Sequence, residues 1–463
     1  MAQIKTDLLI IGAGSGGLSV AAGAAQMGAD VVLLEGHKMG GDCLNYGCVP
    51  SKALLAQAAA AQARGGANPQ DYSAAQAHVR KVIETIAPHD SVERFEGLGV
   101  RVIREFGQFI GADTVQAGPH EIRARRIVIA TGSAPLVPPI AGLDSVPYQT
   151  NETIFELAER PKHLLIIGGG PIGLEMAQAH HRLGCQVTVI EGAQVLAKDD
   201  PDAAAVLVQA LRDEGITIEE NALAAKVSGG DGAIEVAAQD GRVFKGSHLL
   251  VAVGRKPNIA KLNLEAAGIA TQRGSIAVNA ALKTSNRRVY AIGDVVGGLQ
   301  FTHMAGYHAG IVIRSALFGL PAKASQAHIP WATYTSPELA QVGLTEAQAH
   351  ALHGTSLEVL RVEYVGNDRA IAQGKTTGFA KVMVVKGRPV GASIVGEHAG
   401  DLITTWALAL ANNLKMSQIA ATVAPYPTIG EINKRVAGAY FSPRLFQSKM
   451  VKRLVRSVQR YLP

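Results

Sequence analysis

Apolar residues arrive in short, dense runs, and the runs repeat. Residues 8–11 (LLII) stop at a glycine-rich turn, Gly12-Ala13-Gly14-Ser15-Gly16-Gly17, and open an alanine- and leucine-rich helical pattern. A second run, 31–34 (VVLL), is tipped by Glu35. The same order returns later: DLLIIGAGSGGLSVA (7–21) matches HLLIIGGGPIGLEMA (163–177), and DVVLLEG (30–36) matches QVTVIEG (186–192). Gly12 and Gly168, Gly14 and Gly170, Gly17 and Gly173, and Glu35 and Glu191 are each 156 positions apart, and one offset for all four pairs marks a duplication. Each copy predicts strand, tight turn, helix and strand, with an acid 23 residues after the first glycine. That is the context of a dinucleotide fingerprint. Its glycines let the backbone turn and approach a pyrophosphate at a helix N-terminus, and its acid accepts from a ribose diol. One GxGxxG could merely turn a strand into a helix, whereas two in register predict two bound dinucleotides.

After about residue 327 the pattern changes to alternating strands, as in FAKVMVV (379–385) and PVGASIVG (389–396), and a long apolar helix is predicted from Asp401. The last segment reads KMVKRLVRSVQRYLP from Lys449. At 100° per residue its apolar side chains, Met450, Val451, Leu454, Val455, Val458, Tyr461 and Leu462, share an arc of roughly 140°. Lys449, Lys452, Arg453, Arg456 and Arg460 lie opposite. Such a helix can lie on an anionic membrane surface, or it can dock its stripe on its own domain. Docking is the expectation carried forward.

Length and charge refine this picture. A chain of 463 residues predicts two to four domains. The net charge of +6 belongs to the tail: after Glu431 come eight Lys or Arg and no acid, and the rest is near neutral. No basic, aromatic-interleaved stripe points to nucleic acid. No apolar run reaches the roughly 20 residues of a membrane span. The start, MAQIKTDLLIIGAG, carries Asp7 in its apolar stretch and does not read as a secretory signal. A cytoplasmic location is expected, with contact at the inner membrane face as the option that the tail adds.

Three cysteines form no disulfide framework. Two of them stand five residues apart in GDCLNYGCVPSK (41–52). A thiol with an ordinary pKa of about 8.5 needs help to ionise near neutrality. The run after Cys48 reads as a helix start, whose positive end, together with Lys52, would favour a thiolate. Two thiols with only His37 nearby are too few ligands for a metal, so none is expected. Cys185 reads as a small packed residue. Two dinucleotide folds beside a close thiol pair suggest electrons passing from a nicotinamide through a flavin to a disulfide.

On these segments the chain resembles the pyridine nucleotide–disulfide oxidoreductases, the group of glutathione reductase, lipoamide dehydrogenase and mercuric reductase, over nearly its whole length. IVIATGS (127–133), VAVGRKPN (251–258) and VYAIGDV (289–295) also look like segments of that family. The resemblance implies an α/β fold with two Rossmann-like dinucleotide-binding domains, for FAD and NAD, and a C-terminal α+β dimerisation domain. The implied boundaries are 1–147 and 273–326 for the FAD-binding parts, 148–272 for NAD, 327–445 for dimerisation and 446–463 for the basic helix. FAD is expected at Gly12, Gly14, Gly17, Glu35, Lys52, Thr131, Gly132, Ser133 and Asp294, and at Phe301, Thr302 and His303, the last being either a flavin contact or a packed histidine. NAD is expected at Gly168, Gly170, Gly173, Glu191 and Gly254. Glu191, with no arginine in the following positions, would repel a 2′-phosphate and favours NADH over NADPH.

By the same resemblance, Cys48 is the thiol facing the flavin and Cys43 the interchange thiol. Lys52 pairs with Glu175, and a homodimer partner completes the site. The family's His-Pro and downstream Glu here read Tyr426-Pro427 and Glu431. A tyrosine with pKa about 10 is a poor base near neutrality but can donate a hydrogen bond. Mercuric reductases share that tyrosine, yet no cysteine follows Cys185 to relay Hg(II). The expectation is an FAD-dependent NAD(P)H oxidoreductase acting on a disulfide, thiol or metal–thiol acceptor. Dihydrolipoyl dehydrogenase, and a mercuric reductase-like or quinone reductase without the C-terminal relay, are the alternatives.

Overall fold

The computed structural model describes residues 2–462, and these fall into two compact units, 1–192 with 219–325 and 193–218 with 326–463. In the first unit, strands Arg101–Ile103, Val31–Leu34, Ala2–Ile11 and His120–Ile129 run parallel in that spatial order, and Val289–Ala291 joins the far side of His120–Ile129. The run 8–11 is apolar throughout because both faces of this sheet are covered. Leu8 and Ile10 enter one core cluster, Leu9 and Ile11 the other, and all four are buried. The second repeat rebuilds the motif with parallel strands Gln186–Ile190, His163–Ile167 and His248–Val251. Each first strand feeds a helix, Ser15–Gln26 or Pro171–Arg182. The doubly wound α/β reading holds.

In the second unit a five-stranded antiparallel sheet runs Pro330–Thr333, Glu338–Gly343, Arg388–Gly396, Phe379–Val385, Leu357–Glu363. FAKVMVV is buried on both faces rather than alternately, and its one charge, Lys381, is 2% exposed. That ammonium is satisfied by Asp200 at 2.8 Å, Asp202 at 2.7 Å and Glu346 at 2.7 Å. Asp200 also caps the helix Pro201–Asp213. The same ammonium thus ties that helix start to the sheet.

Two expectations need correction here. The long helix from Asp401 is two short ones, Ala399–Leu402 and Thr404–Ala411, separated at Ile403 and ended at Asn412 and Asn413, the latter at φ +52°. Asparagine tolerates that left-handed conformation and so stops the apolar run. The tail does form a helix, Lys449–Tyr461, with Ser448 accepting from the Val451 N–H at its start. Its apolar stripe, however, docks on nothing described. Met450, Leu454 and Tyr461 are exposed, as are Leu445 and Phe446 just before, and only Val451 of the stripe is half-buried. No helix of the described residues is long and apolar enough to cross a membrane.

Candidate functional site

The two glycine turns are built alike to within tenths of an ångström. Gly12 sits at φ +106° and Gly168 at +117°, where a Cβ would come within 2.4 Å of the Ala130 or Ala252 carbonyl oxygen. A Cβ on Gly17 or Gly173 would lie 1.9 or 2.0 Å from the oxygen of Gly12 or Gly168. Only glycine fits, and the helix N-termini stay open for a diphosphate. Glu35 Oε2 accepts from the Ala13 N–H at 2.8 Å, and Glu191 Oε2 from the matching Gly169 N–H at 2.7 Å. Each carboxylate is held at a strand tip, where an acceptor for a ribose diol is needed. The copies differ at one point. Nothing lies within 4 Å of a Cβ on Gly170, while Gly14 faces the redox loop, whose Gly40 N–H donates to Ala13 O.

That loop carries the thiols. Cys43 lies in the short helix Gly41–Asn45, and Cys48 is the first residue of the helix Cys48–Ala63, one position earlier than a start after Cys48. Both are free thiols, and each strongly shifts the ionisation of the other. Cys48 Sγ is 3.3 Å from Thr302 Oγ1, at the start of the helix Thr302–Ala316. The proton is divided unequally. The Cys43 hydrogen bond, helped by Thr302 and by the Lys52 charge, pulls the Cys48 thiol down to about 6 against burial and the nearby Asp42. Cys43 is pushed well above the ordinary thiol range, chiefly because it donates to Cys48. One sulfur is poised as a thiolate, the other as its hydrogen-bond donor.

Lys52, one turn on from Cys48, places Nζ 2.7 Å from Glu175 Oε2, and Glu175 is buried on the second glycine helix. The two fingerprints therefore meet beside the thiols. The remaining first-unit residues also converge. Thr131 Oγ1 donates to Asn258 O at 2.8 Å, Asn258 N–H donates to Gly132 O at 3.0 Å, and Ser133 donates to Asp294 Oδ2 at 2.5 Å. Gly254, at φ +141°, accepts through its carbonyl from the Leu136 N–H. Phe301 and His303 stack, with centroids 5.3 Å apart at 8°. Cys185 is buried, its thiol pushed up to about 12 by burial, and stands apart from this chemistry.

Several residues escaped the sequence reading. Arg255, in VAVGRKPN, is a hub: it donates to Ser133 Oγ at 2.7 Å and lies 2.9 Å from Asp42 Oδ1 and 3.6 Å from Asp294 Oδ2. Asn151 also holds Asp42, at 3.0 Å. The Asp294 carboxyl is raised by burial, against Ser133 and Arg255. Buried His308 accepts the Gly293 N–H at 3.2 Å and is lowered to about 4 by desolvation, so it stays neutral. Its spacing in FTHMAGYHAG was the one available signal.

Tyr426 and Glu431 belong to the second unit. Tyr426 is 70% exposed and donates to Asp368 Oδ2 at 3.2 Å, a bond that, with the aspartate's charge, raises its pKa further. Glu431 begins the helix Glu431–Phe446, and its Oε2 is buried with no hydrogen-bond partner among the described residues.

Residues 6–309 match the model of the pyridine nucleotide-disulphide oxidoreductase family, and 329–437 match its dimerisation domain. The chain belongs to that family. Mercuric reductase of Lysinibacillus sphaericus is 35% identical to this oxidoreductase over 442 residues, covering 92% of this chain and 81% of that protein. Dihydrolipoyl dehydrogenase of Geobacillus stearothermophilus is 33% identical over 455 residues, covering 94% and 96%. Among solved structures, the Cu(II) complex of the HOCl-induced flavoprotein disulfide reductase RclA of Escherichia coli superposes with a TM-score of 0.85 at 29% identity, covering 93% of this chain and 99% of that one. LpdA of Mycobacterium tuberculosis gives 0.86 at 27%, covering 94% and 99%. The enzyme is accordingly a flavin-dependent pyridine nucleotide–disulfide oxidoreductase, its family uses FAD with NAD(P)H, and its dimerisation domain fits a homodimer.

Proposed function

We propose that this oxidoreductase takes electrons from NADH and reduces a disulfide-type acceptor through Cys43 and Cys48. The observation that carries the reading is the thiol pair itself, set at a helix start beside Thr302 with the Lys52–Glu175 pair one turn away. FAD fits the first repeat, where Gly12 and Gly17 allow the tight strand-to-helix turn, Gly14 precedes the helix Ser15–Gln26, Glu35 and Asp294 offer carboxylates, and Thr131, Gly132, Ser133, Phe301, Thr302 and His303 lie in the two segments that the family resemblance assigns to the flavin. When bound there, FAD supplies two-electron transfer between nicotinamide and disulfide. Lys52, held by Glu175, adds positive charge at that place. NAD fits the second repeat at Gly168, Gly170, Gly173, Glu191 and Gly254.

The sulfur chemistry then balances without a histidine. In the dithiol form Cys43 passes its proton to Cys48 across their hydrogen bond and attacks one sulfur of a substrate disulfide. A Cys43–substrate bond forms, the substrate S–S bond breaks, and the first thiolate leaves with the proton that Cys48 had received. Cys48, deprotonated again, attacks Cys43. The Cys43–Cys48 bond forms, the mixed disulfide breaks, and the second thiolate departs, taking its proton from solvent. The substrate gains two electrons and two protons, and the cysteine pair is oxidised.

In a homodimer, Tyr426 and Glu431 of the second subunit would face these thiols. A tyrosine whose pKa is raised further by Asp368 is a hydrogen-bond donor to a departing thiolate, not a base near neutrality. That favours reduction of a disulfide or of a metal–thiol complex over oxidation of dihydrolipoamide. NADH is preferred because the Glu191 carboxylate is fixed at the strand tip. Arg242 hydrogen-bonds the carbonyls of Glu220 and Asn221 beside that tip, but its charge is spent on Glu219 at 2.7 Å and Asp240 at 2.7 Å. The location proposed is cytoplasmic.

The test is anaerobic reduction of the FAD-loaded enzyme by NADH or NADPH, followed by small disulfides, Hg(II)–thiol complexes, dihydrolipoamide and quinones. NADH-driven disulfide or metal–thiol turnover that Cys43→Ser abolishes supports the reading. Quinone reduction that survives Cys43→Ser, with no disulfide turnover in the parent enzyme, contradicts it.

A further inference from the structure

We propose that the helix Lys449–Tyr461 anchors this enzyme on an anionic lipid surface. Family resemblance does not account for the helix: the dimerisation match ends at 437, and the helix begins at 449. It is well formed, with thirteen residues started by the Ser448 side-chain cap. It buries nothing. Met450, Leu454, Val455, Val458, Tyr461 and Leu462 are between 38% and 78% exposed, side by side on one face. Leaving these six apolar side chains in water is costly, and the cost is removed only when a partner covers them.

The charges decide which partner. Lys449, Lys452, Arg453, Arg456 and Arg460 are all exposed around the stripe, and no acid follows Glu431. A second copy of the helix could cover the stripe, but its cations would line the same seam with no carboxylate on either helix to pair them. Nucleic acid would meet the cations and leave the stripe in water. An anionic bilayer surface answers both needs: headgroups take the charges while the apolar face enters the acyl boundary. A helix of this length lies in the surface and does not cross. This inference is independent of which acceptor the thiols reduce.

The experiment is flotation of the FAD-loaded full-length enzyme with vesicles of phosphatidylcholine alone and of phosphatidylcholine mixed with phosphatidylglycerol. NADH-driven ferricyanide reduction serves as the folding control for every variant. The expected result is flotation with the phosphatidylglycerol vesicles only, weakening as salt is raised. Leu454→Asp/Val458→Asp should abolish flotation with unchanged ferricyanide reduction. Arg453→Gln/Arg456→Gln should lower the vesicle affinity roughly 25-fold, at about fivefold per charge removed. Failure of the parent enzyme to float, equal flotation with phosphatidylcholine alone, or flotation unaffected by the double Asp variant would overturn the proposal. So would light scattering in which that variant only lowers the mass of a lipid-free assembly, because the stripe would then seal copies of the chain together.

Discussion

Replacing Cys43 by alanine tests how the thiol pair divides its proton. The largest influence lowering Cys48 is the hydrogen bond from Cys43, and alanine removes it, whereas serine keeps a donor. A hydrogen bond to a charged group contributes about 1.5–3 kcal/mol. The lower end of that range gives a conservative figure. At about 1.4 kcal/mol per unit, the Cys48 pKa should rise by about one unit. Starting from about 6, it moves to about 7. At pH 6.5 the thiolate fraction then falls from roughly three-quarters to roughly one-quarter. The assay is the pH dependence of iodoacetamide alkylation on dithiothreitol-reduced holoenzyme, read peptide by peptide by mass spectrometry. Cys185 stays silent because burial keeps it a thiol. Parent and Cys43→Ser should give midpoints close to one another, with Cys43→Ala displaced upward. An unmoved midpoint in Cys43→Ala would refute the reasoning, since the pair would then not share a proton.

Further outcomes follow from other contacts. Lys381→Met leaves buried Asp200 without its cation and should destabilise the second unit by about 3–5 kcal/mol, read by urea unfolding; a change within error would mean that the carboxylates find other partners. Gly173→Ala puts a Cβ 2.0 Å from Gly168 O and should raise the KM for NADH about tenfold or more, for a misfit above about 1.4 kcal/mol, while FAD content stays normal. Loss of FAD instead would place the flavin in the wrong repeat. His180 and His308 are both buried and lowered to about 4, so the unfolded chain takes up protons first as pH falls. Stability is therefore full above about 6.5 and declines toward 4, by about 1.4 kcal/mol per pH unit for each histidine at most. His308→Gln should flatten that decline in thermal melts between pH 6.5 and 4, and an unchanged slope would remove His308 from the account.

The duplication was readable from sequence because it is a matter of spacing: a constant offset of 156 places each glycine and acid, and the turns are near copies. The thiol pair and the Lys52–Glu175 contact were readable by resemblance, their motifs being contiguous. What escaped is through-space. Arg255 reaches Asp42, Ser133 and Asp294 from three segments, and no local period signals that convergence. Lys381 sat unnoticed in an apolar strand because its counter-charges come from two other elements. The run from Asp401 misled for the opposite reason: apolarity there reflects burial under a sheet, and Asn413 rather than hydrophobicity sets where the helix ends. The tail's helix was legible from its period, but whether its stripe was covered depended on surfaces that the period cannot reveal.

The most direct test of the central chemistry is a thiol count. The oxidised, FAD-loaded enzyme is alkylated before and after anaerobic addition of NADH, and the labelled peptides are identified. The account predicts that Cys43 and Cys48 are protected before reduction and labelled after it, with Cys185 unchanged. Equal labelling of Cys43 and Cys48 in both samples would contradict it, because the nicotinamide's electrons would not be reaching sulfur.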